Sequence, residues 1–261
     1  MNDAPSANHA WLQHANLIAL HGDQVAARTM QTLELQHQTL ICDMRRPVVT
    51  CAERKLSYRF MVAEAFWILS GDDSVAGIAP FNKKILDYSD DGISFFGAYG
   101  PRIQEQLQHC VHKLLADAGT RQAVITTWRP NPPETKDVPC TVAFCFQLRH
   151  GRLDLSVFMR SSDAWLGVPY DIFNFSMLAH LVCARYNGHR AKPISPGLLR
   201  LTMASAHLYE RDVAKVHQLT MTGDLADPQP NTGKILYTNE AALMMELDTL
   251  RTHPEEGWWE P

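Results

Sequence analysis

The sequence contains no apolar run approaching the roughly 20 residues that a membrane-spanning helix needs. It also has no excess of basic residues, since 24 Lys and Arg oppose 28 Asp and Glu and the formal net charge is −4. We therefore expect neither a membrane partner nor direct nucleic-acid binding, and any phosphate recognition has to be local. The first residues also lack the basic and then apolar pattern of a signal peptide.

The chain has no CxxC pair, and its six cysteines are widely scattered. Scattered cysteines in a chain of this length are typical of reduced thiols in a cytoplasmic protein, or in the host cytoplasm if a phage encodes it. Twelve histidines are present, but no cluster of Cys, Asp and Glu at ligand spacing surrounds the helically spaced pair His109 and His112. The sequence therefore predicts no metal site.

Hydrophobic periodicity predicts alternating helices and strands without repeats or a convincing linker. The simplest interpretation is one α+β domain over residues 1–261. The predicted helices lie at about 7–22, 58–69, 102–118, 172–187 and from 209, and the predicted strands at about 32–35, 121–128, 140–148, 153–160 and 198–206. Pro228, Pro230 and Gly233 predict a break before the final region.

Two segments concentrate chemically useful side chains. The segment from Arg160 to Asp171 holds a fixed cation, two hydroxyls and two carboxylates, and its Gly and Pro predict a turn. About twenty residues upstream, Cys140 follows Pro139 at the start of a strand-like run. A phosphate clamp, a base-reading carboxylate and a nucleophilic sulfur could converge from these segments. Their chemistry favours a pyrimidine nucleotide as substrate.

Six fragments in order resemble the thymidylate synthase family, which includes the pyrimidine-nucleotide hydroxymethylases. The resemblance covers more than half of the chain and implies a mixed sheet packed with helices, with a sheet face used for a homodimer. The matching fragments are Ala63–Gly71, Gly97–Gly100, Arg121 to Trp128, Pro139-Cys140, Arg160–Asp171 and His207–Tyr209.

In this resemblance Cys140 is the nucleophile that adds to carbon-6 of the base, and Arg160 is the cation that supports its thiolate. The alternative for Cys140 is a buried core cysteine. Arg160 and Ser161 match the family's phosphate-binding pair. Arg121 matches an arginine donated across the dimer, although Gln122 replaces the second arginine expected there. Arg28 is a looser phosphate candidate, and a solvated surface arginine is the alternative.

The resemblance also assigns residues around the sugar and the base. His207 and Tyr209, which alternate at strand spacing, match the pair that holds the 3′-hydroxyl. Asp163 and Tyr99 lie in matching segments and are further candidates for substrate binding. Glu64 matches the general acid/base at the carbon-4 edge, and we expect burial in an apolar helix to raise its pKa. A buried structural carboxylate is the alternative for Glu64.

Asp171 stands where the synthases carry an asparagine that reads uracil. A protonated aspartic acid can donate to N3 of cytosine and accept from its N4 amino group, whereas an ionised one could hold an N3-protonated cytosine. A mismatched polar edge in a closed site can discriminate by about 10⁴-fold. Asp171 therefore predicts a dCMP hydroxymethylase, and a dUMP hydroxymethylase or a true thymidylate synthase is the alternative.

Two further differences favour addition of water over reduction. Ile85 or Leu86 lies where the family's tryptophan is expected, and the C-terminus Trp258-Trp259-Glu260-Pro261 differs from the usual small apolar ending. The resemblance implies 5,10-methylenetetrahydrofolate as the one-carbon donor. Hydroxymethylated cytosine is typical of phages that modify their DNA, which makes a phage origin a hypothesis. A non-catalytic protein that retains this fold is a third hypothesis.

Overall fold

The computed structural model describes residues 4–27, 30–222 and 239–257. Within these ranges the strands form one mixed six-stranded sheet in the order β1-β2-β6-β5-β4-β3, antiparallel except between β5 and β6. The strands are β1 (Asp23–Ala27), β2 (Met30–Asp43), β3 (Val124–Thr126), β4 (Thr141–Arg149), β5 (Arg152–Asp163) and β6 (Ser195–Tyr209).

Helices cover one face of this sheet, and their central member is α5, whose residues are nearly all buried. A helix that is apolar on every side belongs in a core, and α5 packs against α2, α4, β5 and β6. The α+β class is confirmed. The helices are α1 (Ala7–His21), α2 (Tyr58–Leu69), α3 (Val75–Ile78), α4 (Tyr99–Ala116), α5 (Val168–Asn187), α6 (Glu210–Thr222) and α7 (Glu240–Thr252), with short 3₁₀ helices at Ala52–Arg54, Lys83–Tyr88 and Pro254–Glu256.

The other face of the sheet is partly exposed. Ile41 of β2 and Phe158 of β5 are each 41% exposed, although their neighbours along each strand are buried. Alternation of this kind places successive side chains on opposite faces of a sheet. The use of this face for dimerisation stays a prediction.

Several predicted elements are confirmed, and α2 matches its predicted bounds because Ser57 caps it by accepting the N–H of Phe60. The predicted strands at about 140–148 and 153–160 are also confirmed as β4 and β5, and they form a hairpin with His150 and Gly151 at positive φ, as a two-residue primed turn requires. The predicted strand at 121–128 is shorter, since only Val124–Thr126 pair with β4.

The predicted turn before Asp171 is present at residues 164–167, but α5 begins directly after it, at Val168 instead of about residue 172. Gly167 precedes α5, Pro169 lies in its first turn, and Asp171 is already helical. Proline is well tolerated in a first helical turn, because the N–H that it lacks would have no helical partner there. Similarly, α4 begins at Tyr99 instead of Arg102 and has Pro101 in its first turn. Asp171 is therefore held by the most buried helix and not by a loop.

The connection from β5 to α5 is anchored by two buried side chains. The indole of Trp11 donates to the carbonyl of Ala164 at 2.7 Å, and its ring lies 5.6 Å from that of Trp165. The Nε of Arg54 donates to the carbonyl of Trp165 at 2.8 Å. These contacts fix the connection that leads into the first turn of α5.

We expect Trp11→Phe to lower the free energy of unfolding by about 1–3 kcal/mol, because the buried carbonyl of Ala164 loses its donor while the aromatic ring is retained. Chemical denaturation followed by fluorescence or circular dichroism measures this value. Leu17→Ala in the same helix is the control: Leu17 is 41% exposed, and its removal should change stability by no more than about 0.5 kcal/mol. Equal effects of the two changes would contradict the anchoring role.

Candidate active site

A pocket of about 260 Å³ opens between α2, α5 and two loops. It combines several apolar side chains with a thiol, three carboxyl groups, an amide and two phenols, and such a mixture is typical of a small-molecule site. The described residues that line it are Glu64, Trp67, Ile68, Ile85, Tyr88, Phe95, Gly97, Ala98, Tyr99, Asp137, Val138, Pro139, Cys140, Asp171 and Asn174.

Helices α2 and α5 provide a polar wall. Glu64 projects from α2, and its Oε2 accepts a hydrogen bond from Nδ2 of Asn174 on α5 at 2.7 Å. Asp171 lies three residues before Asn174, which places both side chains on the same face of α5. The hydroxyl of Ser162 donates to Oδ2 of Asp171 at 3.2 Å. The wall is therefore a hydrogen-bonded set drawn from α2, α5 and the end of β5.

Both carboxyl groups of this wall hold their protons more tightly than free carboxyls do. Burial raises the pKa of Glu64 to about 7, and the bond from Asn174 only partly offsets it. Burial raises the pKa of Asp171 to about 8, and the nearby charge of Glu64 adds to this effect. The expectation of a raised pKa for Glu64 is confirmed. At neutral pH Asp171 is mainly a neutral acid, able to donate as well as accept a hydrogen bond.

Cys140 lies between Pro139 and the first residue of β4, and its thiol lines the pocket. Burial raises the pKa of this thiol, and the charges of Asp171 and Asp137 add to that effect. The Arg160 guanidinium and a hydrogen bond with Ser161 act in the opposite direction and favour the thiolate. The nucleophile candidate thus has the predicted cation beside it but is protonated at rest.

Arg160 joins the two segments that the sequence singles out. Its Nε donates to the carbonyl of Pro139 and its Nη2 to that of Val138, both at 2.9 Å. Its backbone N–H donates to the carbonyl of Cys140 at 2.8 Å. These bonds fix the exposed guanidinium against the segment that carries the thiol, while the remaining N–H groups can face a phosphate.

The residues predicted to bind the sugar lie on the adjoining strands, outside the pocket lining. His207 pairs with Asp163 across β6 and β5, and its ring meets that of Tyr209 edge-on at 5.6 Å. Burial lowers the pKa of His207. Oδ1 of Asp163 accepts the N–H groups of Trp165 and Leu166, at 2.8 and 2.9 Å, so this carboxylate also organises the connection into α5.

Of the other candidates, Tyr99 lines the pocket. Its hydroxyl accepts hydrogen bonds from the backbone N–H and the side-chain hydroxyl of Thr141, at 3.2 and 3.1 Å. Burial raises the pKa of this phenol. Arg121 is exposed before β3 and is not among the described residues that line the pocket. Arg28, the C-terminal residues 258–261 and the predicted break at Pro228, Pro230 and Gly233 lie outside the described residues.

Sequence reasoning missed three polar residues of the pocket, namely Tyr88, Asp137 and Asn174. Asn174 is only 4% exposed in an apolar helix, and the logic that selected Glu64 could have found it. Asp137 lies three residues before Cys140 in an irregular loop, and no periodicity distinguishes it from its polar neighbours. Ile85, one of the two residues predicted near the place of the missing tryptophan, lines the pocket, whereas Leu86 is 45% exposed.

Two negative findings apply to residues 4–27, 30–222 and 239–257. No group of three or more His, Cys, Asp or Glu side chains is arranged to hold a metal ion in this part of the chain. Among the helices of the same ranges, none combines the length and apolarity needed to cross a bilayer.

Comparison with known proteins agrees with this geometry. The family model described as thymidylate synthase matches residues 9–236. A deoxyuridylate hydroxymethyltransferase of Bacillus phage SP01 is 33% identical over 253 residues, which cover 88% of this chain and 62% of that protein. A deoxyuridylate hydroxymethyltransferase of Pseudomonas phage M6 is 32% identical over 221 residues, which cover 81% of this chain and 60% of that protein.

The chain thus spans about three fifths of the length of these curated relatives. The family match itself extends over most of the chain and includes both segments that meet at the pocket. On this evidence the chain belongs to the thymidylate synthase family.

Proposed function

We propose that this chain transfers a one-carbon unit to carbon-5 of deoxyuridylate and adds water to it, giving 5-hydroxymethyl-dUMP. The observation that carries the proposal is the meeting of the Cys140 thiol with two proton-bearing carboxyls, Glu64 and Asp171, in one pocket. The names of both phage relatives support deoxyuridylate as the substrate.

The chemistry begins with covalent activation of the base. When the Cys140 thiol loses its proton, the sulfur adds to carbon-6 and makes carbon-5 nucleophilic. The Arg160 guanidinium lowers the energy of the thiolate and, with Ser161, offers charge-assisted donors to a 5′-phosphate. Glu64, whose pKa lies near 7, can give a proton to the carbon-4 oxygen and take it back.

The pocket also fits a folate donor. Its apolar side chains include Trp67, Ile68, Ile85, Tyr88 and Phe95, which offer flat and aliphatic surface for a fused ring beside the thiol. When bound, 5,10-methylenetetrahydrofolate supplies a one-carbon unit at the oxidation level of formaldehyde. The relatives' names and the presence of Ile85 where the family's tryptophan is expected support hydration of that unit over its reduction.

The choice of base depends on the proton of Asp171. A neutral carboxyl can accept from N3–H of uracil and donate to O4, and it can equally donate to N3 of cytosine and accept from N4. The residue that predicted dCMP is therefore compatible with dUMP as well. The dCMP prediction is not confirmed, and deoxyuridylate fits the relatives better. Asp171 keeps dCMP as the second candidate substrate.

We further propose that the chain forms one domain and acts as a homodimer through the exposed sheet face that carries Ile41 and Phe158. Two half-exposed apolar side chains on a regular sheet face are suited to burial against a second copy. Arg121 would then complete the phosphate site of the neighbouring copy, which would explain its exposure away from the pocket.

The direct test incubates the purified chain with 5,10-methylenetetrahydrofolate and each of dUMP, dCMP and CMP, with products identified by mass. We expect 5-hydroxymethyl-dUMP and no rise in dihydrofolate absorbance. Thymidylate together with dihydrofolate would identify a reductive synthase instead. Exclusive turnover of dCMP would select the second candidate, and no product from any nucleotide would overturn the proposal.

Replacement of Cys140 by Ser should reduce turnover at least about 10³-fold, because a hydroxyl is a far weaker nucleophile than a thiol at neutral pH. The matched control is Cys145→Ser, five residues further along β4, where the thiol is not among the described residues that line the pocket. Product formation under saturating nucleotide measures both variants. Comparable activity of the two serine variants would eliminate Cys140 as the nucleophile.

Turnover of dUMP by the unmodified chain, divided by that of the variant Asp171→Asn, should fall with rising pH. Asp171 is protonated below its pKa of about 8 and becomes an anion above it. The anion repels O4 of uracil, to which the neutral carboxyl donates, and it likewise repels N3 of cytosine. We expect this ratio of the two proteins to fall by up to about tenfold per pH unit above 8, as when one essential proton is lost.

Asp171→Asn is the control for this pH dependence, because an amide does not titrate, and the variant should favour dUMP throughout. Taking the ratio of the two proteins cancels the titration of Glu64 and of Cys140, which both proteins retain. A ratio of the two proteins that does not change with pH would contradict a protonated Asp171 as the residue that recognises the base.

A further inference from the structure

Asp137 is a third carboxylate in the pocket, and it takes no part in the roles proposed for Cys140, Glu64 and Asp171. It lines the cavity together with Cys140, three residues later in the chain. Its charge acts in the same direction as burial and the charge of Asp171, which raise the pKa of the Cys140 thiol. Unlike Glu64 and Asp171, which project from the helices α2 and α5, it comes from the loop that leads into β4.

The position of Asp137 is tightly fixed. Its Oδ2 accepts the backbone N–H of Gly97 at 2.8 Å, and its own N–H donates to the hydroxyl of Thr135 at 3.1 Å. The same two loops are joined again where Oδ1 of Asp90 accepts the N–H of Lys136 at 3.1 Å. A carboxylate bound in this way needs little reorganisation before it reacts.

Gly97 is required for this close approach. A Cβ built on Gly97 would lie 2.4 Å from the backbone oxygen of Asp137 and 2.9 Å from its carboxyl group. Such distances are too short for any side chain, so only glycine lets its N–H reach the carboxylate. The loop before α4 and the loop before β4 therefore together fix the carboxylate of Asp137.

The charge balance at Asp137 differs from that of the other two carboxyls. Burial raises its pKa, but the hydrogen bond from Gly97 and the charge of Arg102 both act to lower it. The guanidinium of Arg102 is itself fixed by the carbonyls of Phe96 and Thr127. No hydrogen bond to Oδ1 of Asp137 is formed by the described residues, so this oxygen can accept from a water in the pocket.

Hydration of the one-carbon unit requires such an acceptor. After the donor has left, the nucleotide attached to Cys140 carries an exocyclic methylene on carbon-5. The oxygen of water bonds to that methylene, one proton of the water moves to a base, and the methylene π electrons shift into the ring as an enolate. The enolate then expels the Cys140 thiolate from carbon-6 and restores the ring double bond. Atoms balance, and nothing is oxidised or reduced.

We propose that Asp137 is the general base for this water, a role that rests on the proposed hydroxymethylation. Glu64 and Asp171 belong to the wall that would face the carbon-4 edge of the base, where each can donate a proton. Asp137 is the carboxylate on the loop side, it lines the same pocket as Cys140, and the described residues make no hydrogen bond to its Oδ1. The three carboxyls of the pocket thus have separate roles: Glu64 and Asp171 bind the base, and Asp137 takes the proton of the water.

The test compares the unmodified chain with Asp137→Asn in single turnover with excess protein. One readout is tritium release from [5-³H]dUMP, which reports loss of the carbon-5 proton before hydration. The other is 5-hydroxymethyl-dUMP measured by mass. Asparagine keeps an oxygen for the Gly97 N–H but cannot take a proton. We expect hydroxymethyl product to form about 10²-fold more slowly or worse, a range typical of a lost general base, while tritium release is nearly unchanged.

A thiol trap adds a second readout. In Asp137→Asn the longer-lived methylene should be captured by added 2-mercaptoethanol as a thioether of the nucleotide, and the unmodified chain should give little of it. Glu134→Gln is the matched control, since Glu134 is an exposed carboxylate of the same loop and should leave both readouts unchanged.

Equal slowing of tritium release and product formation in Asp137→Asn would overturn the proposal, as would no slowing of either. A higher KM for the folate with an unchanged ratio of the two rates would assign Asp137 to donor binding and would also overturn it. If the unmodified chain makes no hydroxymethyl product, the proposed function fails instead, and that result is separate from the comparison of the variants.

Discussion

The electrostatic constraint on which the site depends is the placement of Glu64 and Asp171 in one desolvated pocket. Two carboxyls in such an environment cannot easily both be ionised, because each charge is poorly solvated and repels the other. Burial raises the pKa of Glu64 to about 7, and burial together with the charge of Glu64 raises the pKa of Asp171 to about 8. This constraint depends on burial of α2 and α5, whose apolar surfaces form the centre of the core. The burial of α2 and α5 therefore both stabilises the fold and keeps the carboxyls of the site protonated.

The loop side of the pocket is organised by a different principle, in which backbone groups fix charged side chains. Arg160 binds the carbonyls of Val138 and Pro139, while Asp137 is held by the N–H of Gly97. Fixed partners of this kind orient charge before a substrate arrives. The thiol of Cys140 lies where the loop and the helical wall meet, which explains why cations and anions both act on its pKa.

Much of the fold could be predicted from the sequence, because capping and turn residues mark the ends of several helices and strands. Ser57 and the Ser70-Gly71 stop define α2, and the His150-Gly151 turn defines the β4–β5 hairpin. The extent of β2 could not be predicted, because its fourteen residues owe their pairing to β6, far away in sequence. The start of α5 was misplaced because Pro169 was interpreted as a turn signal, although it also suits a first helical turn.

The candidate site was predictable only where residue type and family resemblance coincided. Cys140, Glu64 and Asp171 were selected in this way, and the structure brings them to one pocket. Asp137 was missed because its significance arises from tertiary contact with Gly97, which no local pattern encodes. The base preference was assigned to cytosine from the identity of Asp171 alone. Its protonation depends on burial and on Glu64, and a neutral acid is compatible with both bases.

The central claim is that a carboxyl of this pocket keeps its proton at neutral pH, and its most direct measurement is a carbon-13 NMR titration of the chain labelled at its aspartate carboxyls. The account predicts one aspartate resonance that titrates near pH 8, assigned to Asp171 by its absence from the Asp171→Asn spectrum. If every aspartate carboxyl instead titrates close to the ordinary value of about 4, the account of base reading and proton transfer is contradicted.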